Sequence, residues 1–375
     1  MLPRSRAVLV AAALLLAVWL VGVLLPAPYV VMRPGPTINL LAESKGKEYI
    51  QIEGAPTYRD DGALRLLTVV SSGPDDTVSL FDAMVAWLTP GQSVYRYDDI
   101  YRPQDTSKTV KEDAGVDMVN SQDAATAVAL NRLGMSYPTH VQVLGVAPDG
   151  PSDGVLKVHD VLLRVADHKV NDTDSAVKAI QQVQPGSKVR LVIERDGARK
   201  AVVVTTAEST RDKGKAALHI SIGTGYDFPV DVRVRLGQDI GGPSAGMMFA
   251  TAIYDTMTPG SLTGGKSVAG TGTIDAEGHV GPIGGIQQKI AGAEEAGAQL
   301  FLAPGGNCDE VAHLDWDRSQ MRVIRVDTFD QAISGIEAWR DDLLEQEELE
   351  RDIHSTGFFR NKAKNVIAAA KIIPV

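Results

Sequence analysis

A serine and a lysine give the clearest chemical signal in this sequence of 375 residues. Ser244 lies in the run G-P-S-A-G at residues 242–246, which satisfies the G-x-S-x-G pattern of a serine nucleophile on a sharp turn. The sequence predicts an apolar strand before this run and a helix after it, as such a turn requires. A serine hydroxyl is a weak nucleophile, so the chain must also supply a base that removes its proton.

Lys289 is one candidate for that base. The spacing of apolar residues predicts a helix over residues 285–297, and on it Lys289 shares a face with Ile286 and Ala293. Burial on an apolar face lowers the pKa of a lysine from about 10.4, and a neutral amine accepts protons near pH 7. The alternative is that the side chain extends its ammonium to the helix edge, which is the commoner behaviour of a lysine considered alone.

A histidine is the other base that a G-x-S-x-G serine uses, in esterases with the α/β-hydrolase fold. His279, His313 and His354 follow Ser244 along the chain, as the order of residues in such enzymes requires. No local pattern marks one of them as an acid–base residue. The esterase therefore stays open as an alternative at this point.

A second motif suggests phosphate binding. Residues 260–267 read G-S-L-T-G-G-K-S and satisfy G-x-x-x-x-G-K-[ST]. A phosphate loop leaves a strand and opens a helix, whereas here a helix is predicted before it, over 244–254, and a strand after it, over 268–274. We therefore expect no ATP and no cofactor.

Composition excludes several classes of protein. Lys and Arg number 37 against 47 Asp and Glu, so the formal net charge is −10, which argues against a general nucleic-acid binder. A hydrophobic content of 44% and a charged content of 22% exclude a wholly disordered chain. With Cys308 as the single cysteine and no H-x-x-x-H pair, the sequence predicts no metal site.

The N-terminal region contains an apolar run. From Ala7 to Leu25 there are 19 residues without a charge or a hydroxyl. As a helix the run is about 28 Å long, close to the hydrocarbon thickness of a bilayer. Arg4 and Arg6 precede it, which predicts an N-terminus in the cytoplasm and the rest of the chain outside. A cleaved signal peptide is the alternative, but the run is long and ends in P-A-P, a poor cleavage site.

The predicted elements after this run place the chemistry on a mixed fold. A strand is predicted over 64–70, and helices are predicted over 79–88 and 121–133, the latter with Ser121 as its N-cap. From residue 230 onward strands and helices alternate, which is typical of an α/β or α+β domain.

Residues 139–206 form a distinct region of short strands, one helix and a hairpin. The stretch from Val146 to Val165, with the following N-D-T-D-S-A-V-K-A-I, resembles a PDZ domain. His159 departs from the pattern, because many PDZ domains have glycine there. The resemblance implies binding of extended peptides or C-terminal tails by strand addition at a sheet edge, although the region could serve only as a spacer.

The two chemical candidates belong to one larger pattern. The segments G-G-P-S-A-G-M-M-F-A and T-G-T-I-D-A-E-G-H-V-G-P-I-G-G-I-Q-Q-K resemble the proteolytic domain of the Lon family over most of 228–335. The resemblance implies that Ser244 is the nucleophile, that Lys289 is the base, and that Thr271 orients the lysine. Gly241 stands where many Lon proteins have aspartate. Because Ser244 begins a helix, we expect the oxyanion to be bound by backbone N–H groups of Ser244 and of Gly241 or Gly242.

Together these features resemble the membrane-anchored, PDZ-containing Lon-like serine proteases of bacteria. We therefore expect an α+β protein with one N-terminal transmembrane helix and an α/β Lon-type domain, with the PDZ domain inserted in it or preceding it. The expected activity is ATP-independent cleavage of exported proteins, and the resemblance implies a homo-oligomer. A non-catalytic PDZ scaffold is a further alternative. The expected segments are an N-terminus and anchor (1–32), a juxtamembrane linker (33–60), the first part of the Lon-type domain (61–135), the PDZ domain (136–207), the catalytic core (220–340) and a charged tail (341–375).

Overall fold

The computed structural model describes residues 4–44, 46–209, 212–237 and 240–355. The last 20 residues of the predicted charged tail, 356–375, lie outside the described residues. The chain divides into two compact units. One combines the chain up to Leu133 with the chain from Asp231 onward, and the other is Gly134–Val230.

The α-helices of the described residues are α1 (Arg4–Leu24), α2 (Leu80–Leu88), α3 (Tyr97–Ile100), α4 (Ser107–Arg132), α5 (Thr173–Gln181), α6 (Gly246–Met257), α7 (Ile286–Glu295), α8 (Cys308–Ala312) and α9 (Phe329–Ser355).

The strands of the same residues are β1 (Tyr29–Asn39), β2 (Glu43–Ser44), β3 (Lys47–Glu48), β4 (Ile50–Glu53), β5 (Ala63–Ser71), β6 (Ser93–Arg96), β7 (Thr139–Val146), β8 (Val161–Val165), β9 (His168–Lys169), β10 (Lys188–Arg195), β11 (Ala198–Thr205), β12 (Ala207–Glu208), β13 (Ala216–Ala217), β14 (Ile220–Tyr226), β15 (Asp231–Val234), β16 (Ser267–Gly270), β17 (Thr273–Ile274), β18 (Val280–Gly281), β19 (Leu300–Pro304) and β20 (Arg322–Val326).

The main sheet belongs to the first of these two units. Its strand order is β20-β19-β16-β5-β1-β6. The strands from β20 to β5 are parallel, whereas β1 is antiparallel to both of its neighbours. Val268 and Leu300 contribute to one core, and the next residues, Ala269 and Phe301, contribute to another. Because successive residues of a strand point to opposite faces, the sheet is buried on both sides. Helices α4, α6 and α9 pack on one face, and α7 and α8 pack on the other.

The second unit contains a separate antiparallel sheet with the order β11-β10-β8-β7-β14 and its own apolar core. Asp172 is the N-cap of helix α5, and its side chain accepts a hydrogen bond from the N–H of Ser175. The buried carboxylate of Asp160 accepts two hydrogen bonds of 2.6 Å from the guanidinium of Arg195. His159, the departure from the PDZ pattern, has a φ of 71°, a conformation that glycine adopts more readily.

Several predicted boundaries differ from the structure. The predicted linker 33–60 contains most of β1, which is an inner strand of the main sheet because it pairs with both β5 and β6. The predicted catalytic core began at residue 220, but β14 pairs with β7 and belongs to the second unit. Helix α4 begins at Ser107 with Thr106 as its N-cap, so Ser121 is an interior residue and not the cap.

Helix α1 coincides with the apolar run of the sequence. Large apolar side chains on it are exposed, among them Leu9, Leu15 and Leu24 at 69–75%. No helix in the described part of the chain is long and apolar enough to cross a membrane. The predicted anchor therefore has no support from this finding and stays a prediction.

Candidate active site

Ser244 lies on a tight turn that leads into α6. Gly242 has a φ of 89°, which glycine tolerates without strain, and Pro243–Ala245 form a single 3-10 turn before the helix. A Cβ at Gly246 would lie 2.7 Å from Oγ of Ser121 and 2.8 Å from Cγ2 of Ile274. The glycines of G-P-S-A-G thus allow both the turn and its close packing.

Hydrogen bonds hold this turn from two sides. The hydroxyl of Ser121 on α4 donates to the carbonyl of Pro243 over 3.1 Å. The N–H of Gly272 donates to the carbonyl of Ser244 over 2.9 Å, and the N–H of Met247 donates back to the carbonyl of Gly272. The backbone around Ser244 is therefore fixed against the segment that leaves β16.

Lys289 is buried on α7, with only 2% of its surface exposed. The helix starts after Gly285, which has a φ of 72° and whose added Cβ would lie 2.9 Å from a methyl group of Val69. Gly285 therefore permits α7 to begin close against β5. Lys289 lies in the first turn of the helix, where its N–H donates to the carbonyl of Gly285.

The side chains of Ser244, Lys289 and Thr271 meet. Nζ of Lys289 donates to Oγ of Ser244 over 2.8 Å and to Oγ1 of Thr271 over 2.9 Å. Oγ1 of Thr271 in turn donates to the carbonyl oxygen of Ser244 over 2.9 Å. Thr271 directly follows β16, so the site lies at the carboxyl end of a parallel strand, where α/β folds commonly place ligands.

The environment of Lys289 favours its neutral form. Burial lowers the pKa of the amine from 10.5 to about 8, because desolvation penalises the charged form. A fraction of the molecules near neutral pH therefore carries a neutral amine in contact with the serine hydroxyl. Such an amine accepts the hydroxyl proton, and the arrangement can activate Ser244 as a nucleophile.

The predicted oxyanion site needs one correction. The N–H of Gly242 donates to the carbonyl of Ala114 on α4 over 2.8 Å, so it is engaged within the protein. A Cβ on Gly241 would lie 2.9 Å from that of Ala114, which shows how closely α4 approaches this loop. The N–H groups of Gly241 and Ser244 remain candidates for binding an oxyanion.

Two segments of the chain match models of known families. Residues 229–336 match the Lon protease (S16) C-terminal proteolytic domain. The match contains Ser244, Thr271 and Lys289, so these three residues lie in the part of the chain that is similar to Lon proteolytic domains. Residues 113–206 match a PDZ domain, although the first part of that range lies in α4 of the other unit.

Individual relatives agree with the family matches. Lon protease of Roseiflexus castenholzii is 34% identical over 93 residues, which is 24% of this chain and 11% of that protein. The peroxisomal Lon protease homolog 2 of Caenorhabditis elegans is 32% identical over 31% of this chain and 15% of its own length. Lon protease 2 of Bacillus subtilis is 26% identical over 53% of this chain and 35% of its own length. The matches thus span a minor part of each relative.

Solved structures show only weak similarity to this chain. The PDZ domains of the SdrC-like proteins of Listeria monocytogenes and Listeria innocua each cover 22% of this chain, with TM-scores of 0.21. Their sequence identities to this chain are 15% and 17%, and the matched regions cover 86% and 92% of the two Listeria chains. No functional conclusion follows from similarity at this level.

A cavity of about 180 Å³ opens beside the reactive groups of the Lon-type domain. Apart from Ser244 and Lys289, most of the residues that line it are apolar, although polar atoms contribute more than half of the lining surface. The sequence motifs did not reveal this cavity, because its walls come from β5, α4 and the loop before Ser244. The side chains and backbone that line it are those of Leu66, Leu67, Thr68, Val69, Met118, Ile240, Gly241, Ala245 and Gly284.

In the part of the chain that the structure describes, no histidine is hydrogen-bonded to Ser244. Nδ1 of His279 lies 2.9 Å from a carboxylate oxygen of Asp275, and this pair is exposed. His313 ends α8, and the side chain of His354 lies outside the described residues. Among the described side chains, the titratable group that is hydrogen-bonded to Oγ of Ser244 is the amine of Lys289.

The phosphate-loop motif has another structural role. Its segment follows α6 and precedes β16, which is the reverse of a phosphate loop. The hydroxyls of Ser261 and Thr263 donate to the carboxylate of Asp60 over 2.6 and 2.9 Å. Across the described residues, no group of three or more His, Cys, Asp or Glu could hold a metal ion.

Proposed function

We propose that this protein is a serine endopeptidase that uses Ser244 and Lys289 as a catalytic dyad. The observation that carries the proposal is the hydrogen bond of 2.8 Å between a buried lysine amine and the serine hydroxyl. The match of residues 229–336 to the Lon proteolytic domain gives it independent support. Thr271 is the positioning residue of the site, since it contacts both partners.

The proposed mechanism starts with neutral Lys289. As Oγ of Ser244 attacks the carbonyl carbon of a peptide bond, its proton moves to Nζ of Lys289. The negative oxygen of the tetrahedral intermediate is stabilised by the N–H groups of Ser244 and Gly241 at the start of the helix.

The second half of the reaction returns the site to its starting state. The ammonium of Lys289 protonates the leaving amine when the C–N bond breaks, which leaves an ester between the substrate and Ser244. Lys289 then takes a proton from a water molecule that attacks the ester. Release of the new carboxylate product regenerates the free hydroxyl and the neutral amine.

The substrates we propose are extended or unfolded polypeptides, cleaved without ATP. The cavity beside Ser244 can receive an apolar side chain of a bound substrate, given its volume of about 180 Å³ and its lining. Residues 260–267 support ATP-independence. Hydroxyls of this segment donate hydrogen bonds to Asp60, and the segment connects a helix to a following strand, whereas a phosphate loop connects a strand to a following helix.

The PDZ unit is proposed to bind peptide segments of substrates or regulators. A groove of about 510 Å³ lies between α5 and the segment 216–222, with Val177 and Ile180 on its helix side. Strand β14 stands at the end of the sheet order, so a peptide can add to its outer edge.

We further propose that the chain is attached to a cell membrane through α1, with the catalytic unit on the extracytoplasmic side and the protein a homo-oligomer. Support for the attachment comes from the uncharged run Ala7–Leu25, the preceding Arg4 and Arg6, and the exposed apolar side chains of α1. The homo-oligomer rests on the resemblance to Lon proteins.

Cleavage of an unfolded protein such as casein tests the proposed activity. Ser244→Ala and Lys289→Met should each abolish cleavage, and Lys200→Met, at an exposed lysine, should not. His279→Ala should also retain activity, because His279 is paired with Asp275. Normal cleavage by Lys289→Met would contradict the dyad. Absence of cleavage by the unaltered chain, with peptide binding retained, would favour the PDZ scaffold.

A further inference from the structure

Helix α2 exposes its large apolar side chains and buries its small ones. Ala83 and Ala86 face the protein and are buried. The large side chains face outward, with Met84 54% exposed, Trp87 76% and Leu88 71%. Phe81, Met84, Val85 and Leu88 follow the i, i+3, i+4, i+7 spacing of one helix face. An amphipathic helix of a protein in water normally shows the opposite arrangement.

This outward face begins where α1 ends. The N–H of Ala27 donates to the carbonyl of Val78, and the N–H of Leu80 donates to the carbonyl of Leu25. A Cβ on Gly22 would lie 3.9 Å from that of Phe81, so the last turns of α1 pack beside the first turn of α2. The exposed apolar surfaces of the two helices are therefore continuous.

We propose that the outward face of α2, formed by Phe81, Met84, Val85, Trp87 and Leu88, lies in the lipid surface of a membrane at the C-terminal end of α1. This inference rests on the membrane attachment proposed above. It adds a second contact, in which α2 lies along the boundary between headgroups and acyl chains.

The distribution of exposed side chains favours lipid over a second protein copy. The exposed apolar residues of α1 include the consecutive series Leu14, Leu15 and Leu16, which point in different directions around the helix. A protein partner covers one side of a helix, whereas lipid surrounds it. Trp87, the most exposed aromatic side chain of α2, is of the type enriched at membrane interfaces.

The packing of α2 makes this contact relevant to the catalytic domain. Ala83 and Ala86 pack with Val31 of β1 and with Val94 of β6, beside the edge of the main sheet. Strand β6 also contacts α7, the helix that carries Lys289, because the hydroxyl of Ser93 on β6 donates to Oε1 of Gln287 over 2.8 Å. Lipid contact at α2 would therefore hold the catalytic domain close to the membrane surface.

Spin labels on the full-length chain test the inference. In a Cys308→Ser background, which has no other cysteine, nitroxides are attached at Met84→Cys and, in a second variant, at Leu88→Cys. Val119→Cys on α4, where the native residue is 48% exposed, is the matched control. Each protein is reconstituted into phosphatidylcholine vesicles and floated, and collision rates of the label with oxygen and with a water-soluble nickel chelate are measured.

We expect the ratio of oxygen to nickel collisions to be several-fold higher at positions 84 and 88 than at 119. If the protein floats but labels at 84 and 88 resemble the control, α2 does not contact lipid and the inference is wrong, while membrane attachment stands. Spin–spin broadening at both positions would show a second copy on this face and would also overturn it. A protein that does not float contradicts the membrane attachment itself.

Discussion

Nζ of Lys289 lies 2.8 Å from Oγ of Ser244, although 45 positions separate the two residues along the chain. Ser244 lies on the turn that leads into α6 and Lys289 lies on α7, and these two helices pack on opposite faces of the main sheet. Thr271, which directly follows β16, contacts both. The sheet thus brings a buried amine and a hydroxyl together.

The pH dependence of cleavage follows from the pKa of Lys289. Burial lowers this pKa to about 8, and only the neutral amine acts as a base. We expect kcat/KM for a casein-derived peptide to rise about tenfold per pH unit below pH 8 and to level off above it. Lys289→Arg should be inactive across this range, because a guanidinium stays protonated. A rate with no pH dependence through this region would contradict the assignment.

Thr271 should matter for the position of the lysine and not for binding of substrate. Thr271→Val removes the hydroxyl that accepts from Lys289 and donates to the carbonyl of Ser244, so we expect kcat to fall by about 10- to 100-fold. Thr271→Ser retains the hydroxyl and should restore most of the rate with the same pH profile. A loss in Thr271→Ser together with a normal rate in Thr271→Val would show that the methyl group matters and that the hydroxyl does not.

The raised pKa of Asp255, which lies near Asp60, predicts that the protein loses stability as the pH rises. Burial, and next the nearby Asp60 carboxylate, raise the pKa of Asp255 from 3.8 to about 7. Burial also raises the pKa of Asp60, but hydrogen bonds from Ser261, Gly62 and Thr263 bring it below its ordinary value. Asp255 is therefore protonated when folded at pH 5, and the stability that this provides is lost as the pH rises from about 4 through 7.

Asp255→Asn should remove this dependence on pH. The amide keeps the shape of the protonated acid without ionising, so we expect it to raise the free energy of unfolding at pH 8 by on the order of 2 to 4 kcal/mol. At pH 4 the effect should be small. Asp61→Asn, at an exposed neighbour, is the control and should change stability little at either pH. Denaturant unfolding at both values measures the difference, and an equal effect of Asp255→Asn at pH 4 and pH 8 would contradict the assigned protonation.

The cavity beside Ser244 should select the substrate side chain on the acyl side of the cleaved bond. Met118 is a buried part of its wall, so Met118→Phe should reduce its volume and shift cleavage toward smaller apolar residues. A change of this size is expected to alter the relative kcat/KM values by about 10- to 200-fold. Mass spectrometry of casein fragments identifies the cleavage sites. Val119→Ala, at an exposed neighbour on α4, should leave them unchanged, and unchanged sites in Met118→Phe would show that the cavity does not bind substrate.

The sequence predicted the groups that lie in compact motifs. Ser244 and Lys289 belong to two short segments whose glycines and apolar spacing are visible without a structure. The sharp turn at Gly242 followed from a local pattern of this kind, whereas the burial of Lys289 was favoured over an exposed ammonium only through the resemblance to Lon proteins. The resemblance to Lon proteins added Thr271, whose role no spacing rule could indicate.

Features that depend on distant parts of the chain were missed. The carbonyl of Ala114 accepts the hydrogen bond from the N–H of Gly242, and Met118 lines the cavity. Both residues lie more than 100 positions before Ser244. Ser121 was assigned as a helix cap, whereas its hydroxyl supports the turn at Pro243. The segment 33–60 was assigned as a linker because of its prolines and glycines. Its position in the main sheet depends on pairing with β5 and β6, which no local pattern encodes.

The most direct test of the central claim is the reaction of Ser244 with a fluorophosphonate probe as a function of pH, with the modified residue identified by mass spectrometry. We expect a single adduct at Ser244, faster labelling as the pH rises through about 8, and little labelling in Lys289→Met. Labelling of Ser244 in Lys289→Met at the rate of the unaltered chain would show that Lys289 is not the base. An adduct at another serine would show that Ser244 is not the nucleophile.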